Sequence, residues 1–430
     1  MNVGILGGGL AGLSVATHLD HEYEVLERDE QCGGHCFTVE EEGFTWDGGG
    51  PHIIFSRNQQ MVDYMVSLLA GNVRRARRNN KIFFKGRYVK YPFENGLGEL
   101  DPADRFECLY HYLYNDHPRP TNFREWLYHT FGTGLTEKYL LPYNEKIGNC
   151  RAEELGLDWV EGRVPKPPVE DVIKAAVGVE TEGYTHQLYY HYPERGGIVS
   201  VPRALEARVR KLTTGFPVRH VRRRGRKWVV SNGREEREFD RLVATIPIQD
   251  LVRVVEGVPA EVTGAVGALR YNSLIVVAVG LATERLPDYT AVYIPDPGIL
   301  THRISFPGVF SPYNVPPGRS LINAEITANA GDGVWELDDE AVIRRVVSDL
   351  ETMGIVRPSE LCYARAVRDP YGYVVQDAGY RRNRDLAKGW FEAAGVILCG
   401  RVAEHEYINM DVCIERGMAV ARRLNAEAAA

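Results

Sequence analysis

The amino-terminal residues follow the hydrophobic pattern of a strand, a helix and a second strand. Strand-length segments with apolar residues occur over 2–6 and 23–27, and apolar residues recur at helical spacing over 10–19. A glycine-rich turn separates the first two elements. This order predicts a βαβ unit and, with it, an α/β fold built on a Rossmann-like parallel sheet.

The rest of the chain alternates between helix-rich and strand-rich stretches. Aromatic and charged residues at helical spacing over 102–155 predict several helices, and short apolar runs between turns over 269–327 predict strands. Further helices are predicted over 169–177, 201–212, 339–352 and 410–425, and further strands over 187–192, 217–223, 227–232, 241–246 and 396–399.

Composition narrows the class of protein. The 430 residues are 44% hydrophobic and 25% charged, which is close to the globular average and excludes a disordered or coiled-coil chain. No apolar run reaches the roughly 18 residues that a membrane span requires, so no span is expected. The formal net charge of -7 argues against nucleic acid as a partner.

The cysteines and the amino-terminal residues indicate the cellular compartment in which the protein is expected. Seven cysteines are scattered along the chain, and their spacing fits neither a zinc site nor a disulfide framework. Reduced cysteines, no metal and a cytoplasmic location are therefore expected. Glycines interrupt the apolar amino terminus and no basic segment precedes it, so no signal peptide is expected.

A dinucleotide-binding motif lies between the first predicted strand and helix. Gly7, Gly9 and Gly12 form G-x-G-x-x-G, which allows a tight turn, a close backbone approach to a pyrophosphate and close helix packing. The helix that starts at Leu10 then points its free N–H groups at the phosphates. Glu27, twenty residues after Gly7, is placed to accept the ribose hydroxyls. The motif predicts a dinucleotide cofactor.

Paired glycines farther along distinguish FAD from NAD. Gly33-Gly34 and the segment 46–52 resemble the FAD family of amine oxidases, protoporphyrinogen oxidases, carotenoid desaturases and UDP-galactopyranose mutases. The strand end at 244–247 and the closing turn at 400–411 resemble the same family. The resemblance implies FAD, held by Gly7, Gly9, Leu10, Ala11, Gly12, Glu27, Arg28, Gly34, His35, Gly49, Gly50, His52, Val221, Gly400, Arg401, Asn409, Met410 and Asp411.

Finer motifs occur in a fixed order over nearly the whole chain. They are Gly50-Pro51-His52, Tyr91-Pro92-Phe93, Phe131-Gly132, Pro142-Tyr143-Asn144, Trp159 to Val164, Tyr192-Pro193, Arg303, Ser311 to Asn314, and Gly400 to Asp411. The ordered set resembles the UDP-galactopyranose mutase family within that superfamily.

This resemblance implies an NDP-sugar pyranose–furanose mutase, which is an isomerase. In such enzymes N5 of reduced FAD attacks the anomeric carbon, and arginines hold the diphosphate. The catalytic residues implied are His52, Arg163, Arg303, Tyr373 and Tyr407, and the substrate-binding residues implied are Tyr91, Glu94, Asn144 and Tyr313. NAD(P)H is a candidate reductant, and the oligomeric state is left open.

Two other functions compete with the mutase. One is a true FAD oxidoreductase of the amine oxidase or protoporphyrinogen oxidase type, which calls for an aromatic pair and often a lysine beside the flavin. The other is a flavin-binding module without sugar chemistry. Glu94 stands where mutases carry a glutamine that reads uracil, and this suggests a base with two adjacent donors, such as guanine.

The resemblance also implies three intertwined parts. The FAD-binding part is expected from residues 1–95, 186–249 and 371–430. A helical domain with a mobile loop over 165–184 is expected at 96–185, and an antiparallel-sheet substrate domain at 250–370. The active site is expected between these parts, with the loop as a lid.

Overall fold

The computed structural model describes residues 1–160, 164, 166–183 and 188–427. No helix in these ranges is long and apolar enough to cross a membrane. The helices are α1 Leu10–His18, α2 Gln59–Leu68, α3 Pro102–Leu113, α4 Phe123–Leu135, α5 Leu141–Gly148, α6 Val169–Ala176, α7 Ser200–Glu206, α8 Ile248–Val254, α9 Ala260–Gly267, α10 Pro307–Phe310, α11 Asp339–Thr352, α12 Tyr380–Ala394 and α13 Met410–Glu427. The strands are β1 Asn2–Leu6, β2 Glu22–Leu26, β3 Thr38–Glu41, β4 Phe44–Asp47, β5 Arg74–Arg77, β6 Asn80–Phe84, β7 Arg87–Lys90, β8 Tyr189–Tyr192, β9 Leu212–Thr213, β10 His220–Arg224, β11 Lys227–Ser231, β12 Glu236–Phe239, β13 Arg241–Ala244, β14 Arg270–Leu281, β15 Ala291–Tyr293, β16 Arg303–Ser305, β17 Ser320–Ala328, β18 Leu361–Val375 and β19 Val396–Leu398.

A five-stranded parallel sheet contains the predicted βαβ unit. Its strand order is β19-β13-β1-β2-β9, with β1 in the centre. Val3 and Ile5 are buried in one apolar cluster with residues of α1 and α13. Leu6 is buried in another cluster with Trp228 and Phe239 of the small antiparallel sheet β10-β11-β12. Both faces are thus covered, as parallel sheets require, and the predicted α/β fold class is confirmed.

One predicted helix is shorter than expected. The helix predicted over 201–212 ends at Glu206, because Leu212 and Thr213 form β9 at the edge of the parallel sheet. Leu212 pairs there with Val25. Helix α12 was not predicted, although its buried residues Tyr380, Ala387 and Phe391 lie along one face at helical spacing.

A seven-stranded sheet, mostly antiparallel, forms the second layer. Its order is β18-β14-β17-β16-β15-β6-β7. The last two strands come from residues 80–90, within the segment expected to belong to the FAD part, because β6 pairs with β15. Conversely, α8 and α9 pack with Leu242 and Val396 of the parallel sheet. The boundaries expected at residues 95 and 250 therefore do not coincide with the change from one sheet to the other.

The helical region lies beside this second sheet. Helices α3 and α4 contact each other, and their buried residues Cys108, Phe123 and Leu127 share an apolar cluster with Ile82 and Val89 of the sheet edge. The helices predicted over 102–155 and 169–177 are confirmed. The region forms a wall next to the antiparallel sheet rather than a separate globule, because its core continues into the sheet.

The first and last helices pack closely against each other. A Cβ atom on Gly417 would lie 2.6 Å from the Cβ of Ser14, so only glycine permits this approach. The Ser14 hydroxyl donates a hydrogen bond of 2.7 Å to the carbonyl of Ile414. The contact brings the amino-terminal ends of α1 and α13 together at one edge of the parallel sheet.

Candidate active site

A large cleft separates the parallel sheet from the antiparallel sheet. Its volume is about 1720 Å³. One end is lined by the loop at Gly7 and Gly9 and by Glu27, and the other end by Arg303 and Tyr373. The two ends are built differently, and they are described in turn.

The glycine loop builds the first end from backbone atoms. The Gly7 N–H donates to the carbonyl of Leu26 at 2.9 Å, which fixes the turn. A Cβ on Gly12 would lie only 2.0 Å from the Gly7 carbonyl oxygen, so Gly12 packs against the loop and does not line the cleft. A Cβ on Gly9 would meet no other atom of the chain within 4 Å. Gly9 therefore faces open space in which a ligand can approach the backbone.

Glu27 is held in place by the same loop. Its carboxylate accepts hydrogen bonds from the N–H groups of Gly8, at 2.6 Å, and Asp29, at 3.0 Å. Because both bonds come from the backbone, the carboxylate is fixed at the mouth of the cleft, next to Arg28. This is the position from which an acidic residue contacts a ribose.

The strand segment expected at this end is displaced by a few residues. Val221 is fully buried among the apolar residues of β10 and its neighbours, and it does not line the cleft. Its carbonyl accepts a hydrogen bond from the Glu256 N–H at 2.8 Å. Residues 216–219, just before β10, line the cleft instead. Val221 itself therefore does not line the cleft, because the chain reaches the cleft before the strand begins.

A dinucleotide fits this end on structural grounds. The cradle consists of the open space at Gly9, the fixed Glu27 carboxylate and two helix amino termini. The helix termini offer free N–H groups to phosphates, and the carboxylate can accept hydrogen bonds from ribose hydroxyls. Leu10 and Met410, the first residues of α1 and α13, both line it. Gly34, Gly49, Gly50, Gly400, Asn409 and Asp411 line the same cleft, as does Ala11.

A histidine–aspartate pair joins the two ends. The Nε2 of His35 lies 3.1 Å from a carboxylate oxygen of Asp369 on β18. Burial alone would raise the pKa of Asp369, but His35, the Tyr371 N–H and Arg401 together lower that pKa to about 2. His35 follows the paired glycines of the dinucleotide end, whereas Asp369 belongs to the antiparallel sheet. This contact thus connects the two layers across the cleft.

His52 and Arg401 lie beside this pair. The Nδ1 of His52 is 2.8 Å from the carbonyl of Gly50. Burial, reinforced by His35, Arg401 and Arg303, lowers the pKa of His52 to about 4. The neutral ring then keeps its proton on Nδ1, and Nε2 is left as an acceptor. Arg401 donates to the carbonyls of Ile408 and Gly372, each at 2.9 Å, and so holds the closing turn against β18.

At the second end, side chains from neighbouring strands meet in one row. Arg303 on β16 is paired directly with Glu325 on β17 and with Tyr293 on β15. Its Nε and Nη2 each donate a hydrogen bond of 2.6 Å to the Glu325 carboxylate, which is fully buried. Such a two-pronged pair fixes the guanidinium plane. Nη2 also lies 3.3 Å from the Tyr373 hydroxyl.

Two stacked tyrosines complete this end. The rings of Tyr373 and Tyr407 have centroids 5.9 Å apart and planes inclined by 21°. Tyr373 follows a register shift in the pairing of β14 with β18, where residues 370–372 bulge out. Bulges of this kind often aim side chains into a site. The guanidinium of Arg401 lies 4.3 Å from the Tyr407 ring.

The predicted substrate-binding residues have mixed placements. Asn144 lines the cleft. Tyr91 is set back from the cleft and stacks on Tyr293, with ring centroids 4.6 Å apart. Tyr313 lies on the surface, 46% exposed, under the guanidinium of Arg195. The structure thus does not bring Tyr91 or Tyr313 to the cleft wall.

Glu94 does not reach the cleft either. It lies in a turn of 3₁₀ helix, Phe93–Asn95, that is covered by the helical region. Burial raises the pKa of its carboxyl to about 7. The hypothesis that Glu94 reads a guanine base therefore has no support in the structure. Arg163 lies outside the described residues, as does part of the expected lid.

Three residues of the site were missed from sequence. They are Arg78 and Asp369, which line the cleft, and Glu325, the buried partner of Arg303. Arg78 was hidden in a basic run, 74–78, that resembles a solvated face, and the two acids carry no local motif. Their position opposite partners on other strands becomes visible only in the folded sheet. Among the described residues, no group of three or more histidine, cysteine or acidic side chains could hold a metal ion.

The family described as flavin containing amine oxidoreductase matches the chain over residues 10–425. The chain belongs to this family. It is therefore a flavoenzyme, and FAD is the cofactor that family membership implies.

Solved structures similar to this flavin-containing amine oxidoreductase share its fold. One is a reduced UDP-galactopyranose mutase, with a TM-score of 0.90, 23% identity, and coverage of 99% of this chain and 96% of that one. A provisionally assigned protoporphyrinogen oxidase from Exiguobacterium sp. 255-15 has a TM-score of 0.80 and 17% identity, and the comparison covers 99% of each chain. A putrescine oxidase bound to putrescine has a TM-score of 0.68 and 15% identity, and the comparison again covers 99% of each chain. Such low identities show the fold alone.

Proposed function

We propose that this flavoenzyme is an NDP-sugar pyranose–furanose mutase. The observation that supports it most is the guanidinium of Arg303, which Glu325 holds at the wall of the cleft beside two tyrosines. Among the described residues, its Nη1 has no hydrogen-bond acceptor. A fixed guanidinium with a free edge is suited to a leaving diphosphate, because it binds phosphate oxygens and stays charged.

The chain's own residues have separable parts in this reaction. FAD, when bound in the reduced form, supplies the nucleophile at N5. Arg303 holds the diphosphate while the sugar rearranges, and we infer that Arg163 is its partner. The hydroxyl groups of Tyr373 and Tyr407 donate hydrogen bonds to the same group. His52 offers a neutral Nε2 that can accept a sugar hydroxyl proton.

A trapping experiment tests the proposal directly. The FAD-loaded protein is reduced anaerobically, mixed with UDP-, GDP- or dTDP-sugars, and treated with cyanoborohydride, and the released flavin is weighed by mass spectrometry. We expect a flavin heavier by one sugar, and this also identifies the donor. R303A is expected to abolish the product and R303K to retain part of it, while R285Q, at an exposed arginine, serves as the matched control.

Unmodified flavin across the whole panel would contradict the mutase. The stacked pair Tyr373 and Tyr407 would then favour the second candidate, an FAD oxidoreductase, because two aromatic faces can enclose an amine or a porphyrinogen. No lysine is among the described residues that line the cleft, which weighs against the usual amine oxidase arrangement. Peroxide release with amines and protoporphyrinogen would decide this case, with Y407A as the test variant.

A further inference from the structure

Helices α3 and α6 of the helical region carry apolar side chains on two faces. Their inner faces are buried in the apolar cluster that continues into the antiparallel sheet, with Cys108 and Tyr112 from α3 and Val172 and Ala175 from α6. Their outer faces are apolar as well. Half of the exposed large apolar side chains in the described part of the chain lie on these two helices or on the residue that ends each of them: Phe106, Tyr110, Leu113, Tyr114, Val169, Ile173 and Val177. We call this surface the α3–α6 face.

The exposed side chains recur at helical spacing, so each helix presents them as one stripe. On α3 the rings of Phe106, Tyr110 and Tyr114 follow one another at intervals of four residues, with centroids 5.6 Å and 5.0 Å apart. On α6 the three aliphatic side chains have the same interval. The exposure is large: 66% for Phe106, 72% for Tyr114 and 68% for Val177. A helix that is apolar on opposite faces is typical of an element covered on both sides.

The two helices contact each other and run antiparallel. Near the end of α3, the Tyr112 hydroxyl donates a hydrogen bond of 2.7 Å to the carbonyl of Pro167, which lies just before α6. Near its start, a Cβ atom on Gly98 would lie 2.8 Å from the carbonyl oxygen of Ala175, close to the end of α6. The two stripes therefore belong to neighbouring helices that are held together at both ends.

The area of the α3–α6 face matches one side of a stable protein interface. A whole aromatic side chain covers about 150–250 Å², so the seven partly exposed side chains leave on the order of 600–700 Å² open to water. The largest apolar patch on a typical monomer covers about 300–600 Å². A standard interface buries about 800 Å² on each partner, and these side chains alone supply most of that area.

The charges of the two helices distinguish between kinds of partner. Four acidic and two basic residues lie on α3 and α6: Asp104, Glu107, Glu170, Asp171, Arg105 and Lys174. Glu107 pairs with Lys138, and Glu170 pairs with Lys174 on the same helix. This excess of acid disfavours anionic lipid or nucleic acid, which proteins approach with basic residues. A second copy of the chain, by contrast, presents the same apolar stripes and is complementary in chemistry.

We propose that the α3–α6 face is the interface of a homodimer, in which a second copy of this chain covers it. A two-fold axis places the antiparallel helices of one copy against those of the other, in a four-helix arrangement. The same helical region also lines the cleft through Ile147 and Leu155. The second copy thus supports the cleft wall from outside. This inference does not depend on the proposed reaction.

Sedimentation equilibrium of the FAD-loaded protein tests the homodimer. We expect a species of twice the chain mass of 48.4 kDa at micromolar concentration. F106E and V177E each place a carboxylate in the interface without touching the core, and an unpaired buried charge should raise the dimer Kd at least about 100-fold. L386E, at an exposed leucine of α12, is the matched control and should keep the wild-type Kd. Flavin content and the midpoint of thermal unfolding show that each variant is folded.

A wild-type dimer that both F106E and V177E convert to a monomer supports the proposal. A wild type that sediments as a monomer throughout the micromolar range overturns it. So does a dimer whose Kd is unchanged in both variants, because such a dimer uses another face. A monomeric wild type that floats with vesicles of phosphatidylglycerol and phosphatidylcholine, when F106E does not, assigns the face to lipid and likewise overturns the homodimer.

Discussion

The two ends of the cleft are made from different parts of the polypeptide. At the dinucleotide end, backbone N–H groups and glycines without side chains form much of the surface, and its central loop and Glu27 lie within one βαβ unit. At the antiparallel-sheet end, the side chains of Arg303 and Tyr373 line the cleft and the buried Glu325 holds Arg303 from behind, and these three residues come from three strands. The first end depends on glycines, whose missing side chains leave the backbone accessible. The second end depends on the strand register, which decides which side chains meet.

The largest effect is expected from breaking the buried pair at the second end. E325A leaves the Arg303 guanidinium without its carboxylate in a site where the acid is fully buried. Losing one partner of a buried pair costs about 3–5 kcal/mol of unfolding free energy. Urea denaturation measures it. E360A, which removes the partner of the half-exposed Arg285, should cost less than about 1 kcal/mol. Similar losses of unfolding free energy in E325A and E360A would contradict the expected difference between the buried pair and the half-exposed one.

The next effect tests the backbone-built end. In G12A the added methyl would overlap the Gly7 carbonyl, so we expect a loss of about 3 kcal/mol and little retained flavin. G9A is the matched variant, because its methyl meets no chain atom. It should leave the unfolding of the flavin-free protein unchanged and lower only the flavin content. Thermal unfolding and the flavin-to-protein absorbance ratio separate the two, and full flavin retention in G9A would refute this interpretation.

The smallest effect concerns the contact that joins the ends. The pKa of Asp369 is about 2 in the folded protein against an ordinary 3.8, so folding is favoured when the carboxyl is ionised. That contribution is complete above about pH 4 and is lost as the pH falls toward 2. D369N should therefore cost about 2 kcal/mol at pH 7. It should also show a flatter stability profile between pH 4 and 2, and an unaltered profile would contradict the role of the pair.

The same contrast explains how much could be predicted from sequence. Gly7, Gly12 and Glu27 lie within one βαβ unit, so local spacing and hydrophobic period are sufficient to predict their arrangement. The sequence around Glu325 gave no signal, because the role of this residue depends on its pairing with Arg303 on the neighbouring strand. A one-residue shift of β17 would turn Glu325 to the other face of the sheet. No local pattern specifies that register.

The errors have physical causes of the same kind. Leu212 was assigned to a helix because it continues an apolar helical period, and its pairing with β2 overrides that tendency. Val221 was placed at the cofactor from its strand, although the approach to the cleft is made by the preceding loop. Helix α12, by contrast, carries a clear amphipathic pattern and could have been recognised.

The close packing of α1 against α13 has a consequence for how the protein is made. Ser14 is synthesised 400 residues before Ile414, so their hydrogen bond can form only after all of the intervening chain has been made. Until then, the amino-terminal glycine loop lacks the helix that lies beside it, and the cradle for the cofactor has only one of its two walls. The complete cradle can therefore form only after α13 has been synthesised and has packed against α1.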